Sequence, residues 1–235
     1  MSFKPPRAQP LRIDGPAGAL EAVLEDPQEA AQSGPAAGFA VLCHPHPLHG
    51  GNLHNKVVHT LARACQERGM PTLRFNYRGV GASSGSYDEG RGETQDALAV
   101  IAAGRQRWPG AALTLAGFSF GGMVSLLAAA AAAPARLISV APAVTRAELA
   151  SMVRPDCPWL IIQGDADEII ACAEVQAFAA RFQPPPQLLL LAGAGHFFHR
   201  RLPEVRDAAF AFLAPEPGPG NGWHPDGWHA NEQAR

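Results

Sequence analysis

The chain has 235 residues, a formal net charge of −2 and an isoelectric point near 6.5, so neither nucleic acid nor an acidic membrane surface is an expected partner. Hydrophobic residues make up 47% of the chain and charged residues 17%, a balance that suits one domain with a full core. The four cysteines are widely spaced without a Cys-x-x-Cys pair, which favours reduced thiols and a cytoplasmic location. The start of the sequence lacks the apolar segment of a signal peptide, and no apolar run is long enough for a membrane span.

Short apolar strands alternate with helices along most of the sequence. Residues 1–9 are expected to form a flexible arm, residues 10–213 a single domain, and residues 214–235 a disordered or loosely packed tail rich in Pro and Gly. Strands are predicted over residues 11–13, 19–24, 39–43, 72–75, 112–116, 136–141, 159–163 and 187–191. Helices are predicted over residues 55–68, 93–106, 123–132, 173–182 and 204–213, with a shorter one over residues 146–152.

This order of elements predicts an α/β fold. The first two strands flank a turn signal at residues 14–18 and are expected to pair as a hairpin. The later strands alternate with helices, which predicts a mostly parallel sheet with helices on both faces. In such sheets ligands bind beyond the carboxyl ends of the strands. Side chains capable of catalysis follow four of the predicted strands: His44, His46, Ser119, Asp167 and His196.

The sequence Gly-Phe-Ser-Phe-Gly-Gly at residues 117–122 lies between a predicted strand and an apolar helix. Gly-x-Ser-x-Gly in this context is typical of a nucleophile elbow, in which the serine side chain projects from a tight turn. Glycines flank Ser119 because neighbouring backbones meet there and leave no room for a Cβ atom. The amide of Phe120, at the start of the helix, would point at negative charge developing on a substrate. Ser119 is therefore the predicted nucleophile, and the Phe120 amide is one predicted donor of an oxyanion hole.

A serine nucleophile needs a base, and the base needs a carboxylate that orients it. His196 follows the last predicted strand in a glycine-rich loop and is the predicted base. Asp165 and Asp167 both follow the preceding strand and compete for the role of the carboxylate. Asp167 is preferred because Gly-x-x-Asp is the common spacing after such a strand, and Asp165 would then stabilise the turn. The resulting chain order, Ser then Asp then His, is that of Gly-x-Ser-x-Gly enzymes with this architecture.

The loop after strand 39–43 is rich in His, Pro and Gly. A second oxyanion donor is expected from this loop, and because Pro45 and Pro47 have no N–H group, the amide of His46 is the predicted donor. An alternative hypothesis makes His44, His46 and His49 zinc ligands, since His-x-His-x-x-His resembles part of the metal cluster of zinc hydrolases. A leucine stands where those enzymes carry an aspartate, which disfavours this alternative.

Over residues 11–213 the chain resembles the α/β-hydrolase superfamily, and most closely a group of small, single-domain predicted hydrolases. The matching motifs are His-Pro-His-Pro at 44–47, Gly-Gly at 50–51, Asn-Lys at 55–56, Asn-Tyr-Arg-Gly-Val-Gly at 76–81, the elbow at 117–122, Gly-Asp-Ala-Asp at 164–167 and Gly-His at 195–196. The resemblance implies the α/β-hydrolase fold and a relation to esterases and dienelactone-hydrolase-like enzymes. Lid domains of this fold are inserted between the strands at 136–141 and 159–163, and the short stretch 142–158 predicts an open cleft without a lid domain.

Together these residues predict a carboxylesterase-like serine hydrolase that cleaves a small acyl ester or thioester through an acyl-enzyme intermediate. Apolar side chains near the nucleophile are expected to contact the acyl group: Phe118, Leu48 and Phe197. No metal or other cofactor is expected, and the expected partner is a small-molecule acyl substrate rather than nucleic acid or a membrane. The alternative from another functional class is a binding protein that keeps the fold without turnover.

Overall fold

The structure is a computed structural model that describes residues 8–27 and 38–214. Most of the predicted tail and most of the predicted arm lie outside the described residues. So does most of the stretch 26–38, whose Pro, Gly, Ala and Gln content predicts a surface loop. The boundary of the arm changes, because Ala8 and Gln9 pair with Glu25 and Leu24 and so belong to the first strand.

In the described part of the chain, eight strands form one sheet with the spatial order β1-β2-β4-β3-β5-β6-β7-β8. The strands are β1 (Ala8–Gly15), β2 (Gly18–Glu25), β3 (Phe39–Cys43), β4 (Thr72–Phe75), β5 (Leu113–Phe118), β6 (Arg136–Val140), β7 (Trp159–Gly164) and β8 (Gln187–Leu191). The strands from β4 to β8 in this order are parallel, whereas β1 and β2 form the predicted antiparallel hairpin and β2 adds antiparallel to β4. The α/β-hydrolase arrangement expected from the sequence is therefore the observed fold.

Five α-helices cover both faces of the described sheet. They are α1 (Lys56–Glu67), α2 (Arg91–Arg107), α3 (Phe120–Ala132), α4 (Cys172–Ala179) and α5 (Leu202–Phe212). Helices α1 and α5 pack against each other and bury one face, while α2, α3 and α4 bury the other. Helix α3 is apolar on nearly all sides, and it packs on β5 and β6 beneath α2, where no polar face is needed.

Some element boundaries differ from those predicted. Strand β5 continues past residue 116 to Phe118, so that the elbow serine follows the strand without any intervening loop. Helix α4 ends at Ala179 rather than at residue 182. The short helix expected over residues 146–152 is only a 3₁₀ turn, Ala147–Leu149, so the connection between β6 and β7 contains no inserted lid domain. Within the part of the chain that the structure describes, no helix is long and apolar enough to cross a bilayer.

The strand register aligns the loops that carry the candidate residues. Cys43 at the end of β3 pairs with Gly117 near the end of β5, and Gly164 at the end of β7 pairs with Leu191 at the end of β8. Because these strands are parallel and end at the same level, the loops after them meet at one edge of the sheet.

Buried polar contacts fix the loop between β3 and α1. The amide of Leu53 donates to Asn76 Oδ1 at 2.8 Å, and the carbonyl of Leu53 accepts from Arg74 Nη1 at 2.5 Å. Arg74 is itself buried and pairs with Glu25 at 2.9 Å. The additional hydrogen bonds satisfy polar atoms of this buried ion pair and tie β2, β4 and the loop into one unit.

Candidate active site

Ser119 occupies a tight turn between β5 and α3. Its backbone adopts φ 56° and ψ −116°, a strained conformation for a residue with a side chain, and its amide donates to the carbonyl of Val140 at 2.9 Å. A Cβ atom on Gly117 would overlap the carbonyl oxygen of Gly121, and one on Gly121 would overlap the carbonyl oxygen of Cys43. Glycine is therefore required at both positions for a steric reason. The turn has the geometry of a nucleophile elbow.

The imidazole of His196 lies between the Ser119 hydroxyl and a carboxylate. Its Nε2 atom is 3.0 Å from Ser119 Oγ, and its Nδ1 atom is 2.8 Å from Asp167 Oδ2. All three residues are buried, with exposed fractions of 9% for Ser119, 2% for His196 and 9% for Asp167. Ser119 and His196 are 77 positions apart in the sequence, and Asp167 and His196 are 29 positions apart. The three side chains thus converge into one hydrogen-bonded series that ends at the Ser119 hydroxyl.

Asp167 is held as an ionised acceptor. Its Oδ2 atom also accepts from Gln163 Nε2 at 3.0 Å, and its Oδ1 atom accepts from the amides of Ile169 and Ile170 at 2.9 and 2.8 Å. Burial raises the pKa of Asp167, but the hydrogen bonds from His196 and from the two amides outweigh burial, so that the pKa lies below its usual value. A carboxylate that remains charged keeps the proton of His196 on Nδ1 and leaves Nε2 free to accept the serine proton.

Asp165, the competing carboxylate, has a different contact. It is exposed, and its Oδ1 atom accepts from the amide of Gly193 at 2.6 Å. This bond links the turn after β7 to the turn after β8. The structure therefore places Asp167 against His196, whereas Asp165 stabilises the turn after β8.

The amides expected to bind an oxyanion lie on two adjoining segments. Phe120 is the first residue of α3, and His46 stands just before a 3₁₀ turn, Pro47–His49. Neither amide has a hydrogen-bond acceptor among the described residues. The His46 ring packs against the Phe120 ring with centroids 4.9 Å apart, and its Nε2 atom is 3.2 Å from the Tyr87 hydroxyl.

The sequence and the fold match known serine hydrolases. The sequence model of the family described as serine aminopeptidase, S33, matches residues 46–155. A crystal structure from Xanthomonas campestris, described as an α/β serine hydrolase without a lid, is 40% identical and superposes with a TM-score of 0.83 over 91% of this chain and 96% of that one. An α/β serine hydrolase homologue from Coxiella burnetii is 42% identical, with a TM-score of 0.83 over 91% of this chain and 100% of that one.

The chain belongs to the α/β serine hydrolase family. An uncharacterized protein of Rickettsia prowazekii is also similar, with 31% identity over 213 residues that cover 86% of this chain and 87% of that protein. The lidless connection between β6 and β7 in this hydrolase agrees with the description of the Xanthomonas structure.

His44 is a structural residue of the hydrolase. Its Nδ1 atom bonds to the carbonyl of Pro45 at 2.7 Å, and its Nε2 atom accepts from the amide of Tyr77 at 3.2 Å, so both ring nitrogens are engaged within the protein. Burial lowers the pKa of His44 to about 3, although the bond to Pro45 acts in the opposite direction. Within residues 8–27 and 38–214, no three His, Cys, Asp or Glu side chains are arranged to hold a metal ion, and His44, His46 and His49 do not converge as zinc ligands.

The three predicted acyl contacts divide into two groups. Leu48 and Phe197 are 68% and 45% exposed, on the loops after β3 and β8, and their contact with an acyl group stays a prediction. The prediction for Phe118 is wrong, because its side chain is fully buried and packs beneath His196 with ring centroids 5.0 Å apart. As the last residue of β5 it faces the core beside α5, where it supports the imidazole and contacts the buried ring of Phe198.

Two residues that hydrogen-bond to His196 or Asp167 were not predicted from the sequence. Glu168 accepts from the amide of His196 at 3.1 Å, which holds the histidine loop against the loop after β7. Gln163 donates to Asp167 and also to the carbonyl of Ile170 at 3.0 Å. A signal for Gln163 was present, because an amide at the end of the otherwise apolar strand β7 needs buried partners.

Replacing Asp167→Asn is expected to lower kcat by about 10³- to 10⁴-fold, because the amide no longer holds the productive tautomer of His196. Asp165→Asn is the matched control, since an amide oxygen can still accept from Gly193, and its activity is expected to stay within about threefold of wild type. Steady-state kinetics with any ester that the wild type cleaves provide the measurement. A larger loss in the Asp165 variant than in the Asp167 variant would contradict the assignment.

The buried neutral ring of His44 is expected to make folding pH-dependent. The unfolded chain binds a proton at this site below its ordinary pKa of 6.5, whereas the folded chain does so only near pH 3, so stability falls as the pH is lowered between these values. Between these pH values, the free energy of unfolding falls by up to about 1.4 kcal/mol for each pH unit. Urea unfolding at pH 7 and pH 5 should show a steeper loss for wild type than for His44→Gln, and equal losses would contradict a neutral buried ring.

Proposed function

We propose that this hydrolase cleaves a small carboxylic ester or thioester through an acyl-enzyme intermediate, as a carboxylesterase-like enzyme. The observation that carries the proposal is the continuous hydrogen-bonded chain from Ser119 Oγ through His196 to Asp167. A serine hydroxyl is a weak nucleophile until a neighbouring base accepts its proton, and this arrangement supplies the base together with the carboxylate that orients it.

In the first half-reaction, Ser119 Oγ attacks the carbonyl carbon while its proton passes to His196 Nε2. The tetrahedral intermediate collapses, the bond to the alcohol or thiol breaks, and His196 returns the proton to that leaving group. A water molecule then gives a proton to Nε2 and attacks the acyl group, which releases the acid and restores the Ser119 hydroxyl. Asp167 stays ionised throughout and stabilises the imidazolium that forms in each half.

The negative charge on the substrate oxygen would be stabilised by the amides of Phe120 and His46. Preorganised donors aimed at a developing oxyanion are among the largest contributions to such catalysis. Both amides lack an acceptor among the described residues, and the Phe120 amide lies at the positive end of α3. The close approach of the carbonyl of Cys43 to Gly121 brings the loop containing His46 against the start of that helix.

The surroundings of Ser119 favour small substrates and leave the hydroxyl accessible to them. Leu48 and Phe197 offer apolar surface, and the connection between β6 and β7 adds no cover. The four cysteines make no disulfide among the described residues, which supports a cytoplasmic location. The alternative function, a binding protein without turnover, is disfavoured by the polar contacts that keep Asp167 ionised, since these contacts serve a reacting histidine rather than fold stability alone.

With p-nitrophenyl butyrate as substrate, Ser119→Ala is expected to reduce kcat by at least about 10⁴-fold, because no acyl-enzyme can form. Release of p-nitrophenolate is measured on both proteins at equal concentration, with circular dichroism to verify that the variant is folded. Equal rates in wild type and variant would refute the proposed mechanism, and no turnover by the wild type on a panel of esters and thioesters would favour the binding protein.

The role of the His46 amide is tested by a pair of substitutions at one position. The backbone of His46 has φ −53°, which lies in the range of proline, so His46→Pro removes the N–H group without requiring a change of φ at this position. His46→Ala removes the same ring but keeps the amide. The proline variant is expected to have a kcat about 10²- to 10³-fold below that of the alanine variant, and equal values would exclude this amide as an oxyanion donor.

A further inference from the structure

A cleft with both apolar and polar lining residues lies beside the candidate active site. It has a volume of about 520 Å³, which is within the range of roughly 300–1,000 Å³ that small-molecule sites occupy. One wall comes from the loop and first turn of α1, with Asn52, His54 and Lys56, and the other from the loop after His196, with Phe197, His199 and Arg200. The cleft therefore lies between the two loops that carry the proposed oxyanion donor and the histidine.

Two of these wall residues are cations without a counter-charge. Neither Lys56 nor Arg200 makes an ion pair or a side-chain hydrogen bond with any described residue. None of the described residues that line the cleft is an aspartate or a glutamate. Lys56 is also the first residue of α1, so the positive end of the helix adds to the potential there.

Most of the other described cations have a polar partner, and five arginines donate to backbone carbonyl groups: Arg68, Arg105, Arg136, Arg154 and Arg181. Ion pairs with Asp or Glu are made by Arg74, Arg78, Arg91, Arg146, Arg201 and Arg206. Arg201 is the informative comparison, because it directly follows Arg200 and yet is neutralised by Glu204. Arg200 instead adopts a left-handed backbone conformation, with φ 61°, and lines the cleft.

We propose that Lys56 and Arg200 bind an anionic group, a carboxylate or a phosphate, at the remote end of the ester substrate. The proposal rests on the serine hydrolase function proposed above and narrows its substrate class to anionic esters. Arginine pairs with the oxygens of either anion in a planar fork, and lysine adds a compact point charge.

The position of Phe197 connects this cleft to the reacting groups. Its exposed ring forms part of the cleft wall and packs edge-on against the imidazole of His196, with ring centroids 5.2 Å apart. A substrate bound to Ser119 would extend along this apolar ring, with its charged end between Lys56 and Arg200. The Phe197 ring would thus contact the apolar part of the substrate, and the two cations would bind its charged end.

The test uses pairs of esters that differ only in the charge at the far end. One pair is p-nitrophenyl hexanoate and mono-p-nitrophenyl adipate, and a longer pair is the octanoate and the suberate. For wild type we expect kcat/KM at least about tenfold higher for the anionic member of at least one pair. The double variant Lys56→Gln, Arg200→Gln should lose this preference while hydrolysing the neutral esters at an unchanged rate.

Arg12→Gln provides the matched control. Arg12 is also an exposed cation without an ion-pair partner among the described residues, but it lies on β1 and does not line the cleft. This variant should keep the full preference for anionic esters. An equal loss in the Arg12 variant would mean that overall charge rather than the cleft is responsible, and no preference in the wild type for either pair would overturn the proposal.

Binding is measured separately from turnover, so that failure of the proposed chemistry is distinguishable from failure of the cleft. Calorimetric titration of the Ser119→Ala protein with hexanoate, hexyl phosphate and hexanol needs no reaction. Tighter binding of either anion than of hexanol, lost in the triple variant with Lys56→Gln and Arg200→Gln, supports the proposal, and the tighter anion identifies the preferred group. Equal affinity for all three ligands overturns it even if the esters are hydrolysed.

Discussion

The active-site region depends on a steric constraint at the turn after β5. Backbone atoms of three segments meet around Gly117 and Gly121 with no space for a Cβ atom, and this contact fixes the start of α3 relative to the loop after β3. The strained conformation of Ser119 persists because the surrounding parallel strands and the buried helix determine it. One local contact thus sets the direction of the hydroxyl and the positions of the two unpaired amides.

A second set of contacts brings the base to this turn. Strands β7 and β8 end at the same level, and the loops beyond them are joined by Asp167 to His196, by Asp165 to Gly193 and by Glu168 to the His196 amide. These bonds connect segments separated by 28 or 29 positions in sequence, so the histidine is held by its backbone as well as by its ring. Because contacts to the backbone and to the ring already restrict the imidazole, it loses less conformational freedom when the transition state forms.

Much of the fold and the three converging side chains could be predicted, because alternating strands and helices and the Gly-x-Ser-x-Gly elbow are local patterns with one structural meaning. The predicted Phe118 contact failed because nearness to Ser119 in sequence does not determine which face of the sheet a side chain occupies. Glu168 acts through a backbone amide on another loop, and no sequence pattern records such a contact. The cleft with Lys56 and Arg200 was also missed, since it requires knowing which cations lack a partner after folding.

The proposed catalysis depends on an activated hydroxyl at Ser119, and this activation is measured most directly by reaction with a fluorophosphonate followed by mass spectrometry. An activated serine attacks the phosphorus and displaces fluoride, whereas an ordinary serine does not react at a comparable rate. We expect one adduct per chain, located on Ser119, and at least about 10³-fold slower labelling in His196→Ala. Absence of an adduct on the folded wild type, or equal labelling of the histidine variant, would contradict the account.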